Sequence, residues 1–111
     1  MLRDAKNAEF KDQIYYALAG IEFNEGNEPK GIDYLHQCAF YSTKNTRQKG
    51  MAYQRLADLS FSKRQYVPAQ KYYDSCAAVI TDTYPNAEGI RNKASNLIAK
   101  AKVNKLLNLF F

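Results

Sequence analysis

Residues 15–39, YYALAGIEFNEGNEPKGIDYLHQCA, return in altered form as residues 53–77, YQRLADLSFSKRQYVPAQKYYDSCA, 38 positions later. Aligning residues 6–43 on the stretch 38 positions downstream gives eleven identities, among them Tyr15/Tyr53, Leu18/Leu56, Ala19/Ala57, Phe23/Phe61, Tyr34/Tyr72, Cys38/Cys76 and Ala39/Ala77. A period of this length marks a stack of like units, each burying its apolar face only against its neighbours. The 111 residues then make one domain of shared cores, not two independent ones.

Within each unit the apolar positions recur at three and four. They are Ile14, Leu18, Ile21 and then Ile32, Leu35, Ala39 in the first, and Leu56, Leu59 and then Ala69, Tyr72, Tyr73, Cys76, Ile80 in the second. That spacing predicts two amphipathic helices per unit. Gly26 suits a C-terminal cap, Asn45 and Thr46 an N-terminal one, and Pro29 and Pro68 fall in first helical turns, where proline costs no hydrogen bond. Short turns make paired helices antiparallel. Tyr84-Pro85-Asn86 reads as a stop and restart, and helices are expected at 8–25, 28–42, 46–63, 67–82 and 86–107. Few Gly and Pro residues, against many Ala, Leu, Lys, Gln and Tyr, agree with an all-α chain.

The pattern resembles the tetratricopeptide repeat. Tyr15, Leu18, Ala19, Gly31 and Leu35, and again Tyr53, Leu56, Ala57, Ala69 and Tyr73, stand where that family places its large and small packing residues. RQYVPAQKYYD is the closest local likeness, and the small residues would sit where paired helices cross and backbones must approach. The resemblance implies an α-solenoid of two helix pairs, at about 8–43 and 46–82, closed by a capping helix at about 86–107. The period of 38 exceeds the family's usual length of about 34, which places a longer loop at 42–47. Phe23 and Phe61 stand one position later than the family's customary aromatic, and helical spacing puts both in the expected core. A narrower likeness joins LRDAKNAEFKDQIYYALAGIEFNEGN and DTYPNAEGIRNKASNL to the repeat-bearing outer-membrane lipoproteins of Bacteroidetes gliding motility and type IX secretion. It implies a slice of a longer array in the periplasm or at the outer membrane of a Gram-negative bacterium; without it the cytoplasm is the default.

In the repeat family the inner surface is lined by the first helix of each pair. Here that implies Gln13, Tyr16, Gly20 and Asn24 from one unit, and Met51, Gln54, Asp58 and Ser62 with Arg55 from the next. The residues with which some family members clamp acidic tails are not conserved in kind, since Tyr16, Gly20, Gln54 and Asp58 hold those places. A mixed polar groove with a tyrosine anchor suits an extended peptide or a partner helix, with solvation alone as the plain alternative.

Other chemistry finds less footing. Cys38 and Cys76 occupy equivalent points about 10 Å apart and are expected as free packed thiols, a bridge or metal being the alternative. His36 is expected to face solvent, and it cannot complete a zinc site with the two cysteines. Glu22, Glu25 and Glu28 cluster around a turn without a histidine, nucleophile or phosphate loop, so they read as a solvated rim. No catalysis and no cofactor are expected.

Residues 1–40 carry four basic against seven acidic side chains, and residues 41–111 twelve against four. The basic half raises a rival reading, a nucleic-acid-binding helical domain using Arg47, Lys49, Lys93, Lys100, Lys102 and Lys105; scattered helical spacing and the absence of a stacking motif count against it. No leader or membrane span is read in the chain. The terminal KLLNLFF is an apolar end that points to docking on a further repeat or to self-association.

Overall fold

The computed structural model describes residues 10–95. Four helices and the start of a fifth follow one another: α1 (Lys11–Asn24), α2 (Glu28–Tyr41), α3 (Thr46–Ser62), α4 (Tyr66–Val79) and α5, helical from 87 through 95. No strand occurs among the described residues. α1 packs along α2 and α3 along α4, each pair joined by a three-residue turn that forces it antiparallel, and α2 packs on α3 to join the pairs.

The two turns share one geometry. After α1 the Asn27 N–H donates to Glu22 O at 2.8 Å across Gly26, whose φ is +80°; after α3 the Gln65 N–H donates to Ser60 O at 2.9 Å across Arg64, whose φ is +59°. Both are left-handed helix-ending turns that satisfy a carbonyl of the last helical turn. Only the first has a glycine to do it. Asn45 caps α3, its Oδ1 accepting the Gln48 N–H at 3.1 Å.

Two cores form, and the second is the first displaced by the repeat. Ala19, Leu35, Cys38, Ala52 and Leu56 of the first have as counterparts 38 residues on Ala57, Tyr73, Cys76, Ile90 and Ala94 of the second. Tyr53 and Tyr72 pack against both. The expected small residues are buried: Ala19, Ala57 and Ala69 are fully enclosed, and a Cβ on Gly31 would stand 2.9 Å from the Phe23 ring. Of the expected packing residues, Leu35, Leu56 and Tyr73 are buried, while Tyr15, Leu18 and Tyr53 are half-buried.

The units differ at one matched contact between the start of the first helix and the end of the second. In unit one the buried Asp12 carboxylate lies 3.3 Å from the Ser42 hydroxyl, which also donates to Cys38 O at 2.7 Å. In unit two the same places hold Gly50 and Ile80, so close that a Cβ on the glycine would stand 2.6 Å from Ile80 Cγ2. A hydrogen-bonded pair in one unit is thus a void-filling apolar contact in the other.

Three expectations need correction. α4 ends at Val79 instead of 82, because Ile80 turns extended (ψ 156°) to bury itself in the second core. α5 begins at 87, and the rest of its expected span to 107, like the KLLNLFF end, lies outside the described residues. Phe61, expected in the core, is 36% exposed: it sits on the last turn of α3, where its ring meets Tyr66 edge-on.

Candidate functional site

The turn after α4, one face of α3 and a side chain of α1 line an open pocket of about 420 Å³. Its walls are Tyr16 of α1; Arg47, Met51, Gln54, Arg55 and Asp58 of α3; and Tyr84, Pro85 and Asn86 of the turn. Pro85 fixes the chain direction, and Asn86 adopts a left-handed φ of +58°, the kind of turn asparagine tolerates better than most residues. Tyr84 is then buried, with its hydroxyl donating to Gln54 Oε1 at 2.6 Å.

Two guanidinium groups define the charge of the pocket. The Arg55 group lies 4.8 Å from the Phe23 ring centre and 5.7 Å from that of Tyr16; the Arg47 group lies 5.6 Å from the Tyr84 ring. Ring faces hold both cations in place by their quadrupoles without neutralising them. Among the described residues neither arginine forms an ion pair, whereas Lys30, Lys63 and Arg91 are each matched to an acid, Glu22, Glu28 and Asp82. Asp58, at the rim, accepts the Tyr73 hydroxyl. The pocket therefore offers two cationic forks, a carboxylate already engaged, and amide groups from Gln54 and Asn86.

Burial raises the pKa of the groups behind this wall. Tyr84 is pushed up to about 12, chiefly by desolvation with smaller contributions from Cys76 and Tyr16. Cys76 is pushed up to about 11 by desolvation and then by the charge of Asp58, and Cys38 is raised by desolvation. Tyr73 rises by desolvation and by its bond to Asp58. Both thiols are free and buried, Cys76 Sγ lying 3.3 Å from Gly50 O and Cys38 Sγ 4.0 Å from the Ser42 hydroxyl. Thiols held in the neutral form are poor nucleophiles and poor ligands. Among the described residues no group of three His, Cys, Asp or Glu side chains could hold a metal ion, and no helix is long and apolar enough to cross a membrane.

Of the residues read from sequence as an inner surface, the structure brings Tyr16, Met51, Gln54, Arg55 and Asp58 together. Gly20 stands beside them, its Cβ position 3.7 Å from an Arg55 Nη1, while Gln13, Asn24 and Ser62 are exposed and line no part of the pocket. His36 is exposed but touches Tyr72, its Nε2 lying 3.3 Å from the hydroxyl. Glu22 and Glu28 are salt-bridged across the turns, consistent with a rim. The sequence pattern assigns Arg47 to a different surface and does not mark Tyr84, Pro85 and Asn86 as a wall. The spacing of Arg47 and Arg55, two helical turns and a little more, could have revealed the first; nothing periodic marks a turn residue.

Comparison of the chain with protein-family models, with curated proteins and with solved structures gives no match.

Proposed function

We propose that the chain is a tetratricopeptide-like α-solenoid acting as a non-catalytic binding scaffold, and that its pocket takes an extended peptide segment bearing acidic groups. What supports the stacked architecture is the recurrence of one core as the other across the 38-residue period. The observation that carries the ligand class is the pair of arginines in the pocket, each stacked on a ring and neither matched to an acid among the described residues. Unpaired guanidinium groups held rigid beside polar amides lose little entropy on binding a carboxylate and gain two-pronged hydrogen bonds.

Eight positions on one helix separate the two arginines by about 12 Å along the axis. In an extended peptide, side chains four residues apart lie on the same side and about 13 Å from one another. The pocket accordingly favours a peptide with two acidic residues at that spacing, and the half-buried Tyr16 supplies an apolar surface for whatever lies between. The context of a bacterial secretion or gliding assembly rests on the quoted sequence likeness alone and adds nothing to the chemistry of the site.

Fluorescence anisotropy with dye-labelled peptides carrying two glutamates four residues apart, against the same peptides with glutamine, tests this. The glutamate form binds, the glutamine form does not, and Arg47→Ala and Arg55→Ala each weaken binding about tenfold, the worth of one charge-assisted contact. Equal binding of the two peptides, or indifference to both arginine changes, would overturn the acidic ligand. Tighter capture of duplex DNA than of either peptide, with steep salt dependence, would replace it with the nucleic-acid reading.

A further inference from the structure

Because each hairpin is antiparallel, α1 and α3 start, and α2 ends, at the same end of the molecule. Three aromatic rings stand exposed there: Phe40 at 73%, Phe10 at 49% and Tyr41 at 37%. The Tyr41 ring is stacked on Tyr15 with ring centres 5.6 Å apart, and Phe40 meets it edge-on at 5.0 Å. Lys11 Nζ lies 4.8 Å from the centre of the same ring. Tyr41 and Phe40 are thus fixed by their neighbours while their outer surfaces meet water.

The fold does not ask for these rings. At the equivalent places 38 residues on stand Gln48, Ala78 and Val79, and the second hairpin forms its core without an aromatic at any of the three. A phenylalanine left in water forgoes the free energy its burial would release, so a cluster of them at one end marks a surface that is covered in use. The charge of that end is one-sided as well. Lys11, Lys44 and Lys49 belong to it, and among the described residues none of the three is paired with an acid. Asp12, the acid at that end among the described residues, is buried, its carboxylate accepting from Ser42 and from the Gln13 N–H. The opposite end of the hairpin is balanced instead: Glu22 and Glu28 are bridged to Lys30 and Lys63.

We propose that this end of the first hairpin docks on a bilayer that carries anionic phospholipid, Phe10 and Phe40 entering the interface while Lys11, Lys44 and Lys49 meet the headgroups. Phenylalanine has no polar atom with which to read a sugar or a peptide backbone. Rings that stand out from a helix end suit a fluid surface that closes around them better than a partner of fixed shape. Apolar rings flanked by lysines match the layering of such a bilayer, apolar within and negative at its surface. The contact is peripheral, with rings at headgroup depth and no spanning segment required.

Flotation of the whole chain with vesicles of mixed phosphatidylglycerol and phosphatidylcholine, against vesicles of phosphatidylcholine alone, tests this. The chain binds the anionic vesicles about a hundredfold more tightly, each lysine near the surface contributing about fivefold, and added salt weakens the binding. Phe40→Ser, a change to a side chain mostly in water, leaves the thermal midpoint in place and weakens vesicle binding about tenfold. Lys44→Glu weakens it about fivefold or more, whereas Lys71→Glu, the same change of charge at an exposed position of α4, does not. Equal binding to the two kinds of vesicle would overturn the proposal, as would Phe40→Ser binding as tightly as the parent. So would an equal loss in Lys71→Glu and Lys44→Glu, because net charge alone would then account for the attraction. Tighter capture of a single-stranded oligonucleotide than of anionic vesicles, lost in Phe40→Ser, would overturn it too and give the rings to nucleic acid.

Discussion

Tyr84 at the pocket wall and Cys76 behind it hold protons more tightly in the fold than they would in an open chain. Tyr84 rises from 10.0 to about 12 and Cys76 from 9.0 to about 11, each mainly because burial disfavours the charged form. Raised values of this sign mean that the stability they contribute is whole below the unfolded values and is lost as pH climbs through the folded ones. Urea midpoints should hold steady up to about pH 9 and decline between there and pH 12. Tyr84→Phe should cost about 1 kcal/mol at neutral pH through its lost bond to Gln54, and the gap to wild type should close as alkali ionises the tyrosine. A gap that stays constant to pH 12 would show that Tyr84 ionises in the fold as easily as in water.

At the scale of elements, most of the helical plan was legible, because period 3.6 is written in the apolar positions and the caps obey local rules. Asn45 caps α3 and Gly26 takes its left-handed turn as the sequence suggests. Arg64 was not legible: it stands at the position of Gly26 in the repeat with the same left-handed backbone, and only the matched hydrogen bond from Gln65 reveals it. A side chain in that region costs about 1 kcal/mol. Arg64→Gly should therefore raise unfolding free energy by about that amount, read from denaturant midpoints at unchanged slope; a fall would mean that the Arg64 side chain does something the turn does not. The pocket was half legible for a related reason. Helix-face reasoning finds Tyr16, Gln54 and Arg55, but the wall formed by Tyr84, Pro85 and Asn86 belongs to a turn, whose path is fixed by where Ile80 can bury itself.

For the whole molecule, the question is how firmly the two units act as one. Their cores have separate members but share α3, which gives Ala52 and Leu56 to the first and Ala57 to the second, and Tyr53 and Tyr72 pack against both, so cooperativity runs through this seam. Tyr72 is also the ring that meets His36 across the seam. Tyr72→Ala should widen or split the denaturation transition, with far-ultraviolet dichroism and exchange protection of unit one no longer tracking those of unit two. A single sharp transition at lower midpoint would show that the small-residue packing of Ala52 and Leu56 against α2 carries the coupling unaided.

Neighbouring hairpins of similar sequence risk trading partners while they fold, α1 seeking α4 or α3 seeking α2. Asp12 with Ser42, against Gly50 with Ile80, discriminates between these outcomes. Pairing α1 with α4 would drive a carboxylate, left with only the Gln13 N–H, onto an isoleucine, and pairing α3 with α2 would leave a hydroxyl facing a hole where a methyl group should be. One contact, polar in the first hairpin and greasy in the second, thus acts as a password by which each helix rejects its neighbour's mate.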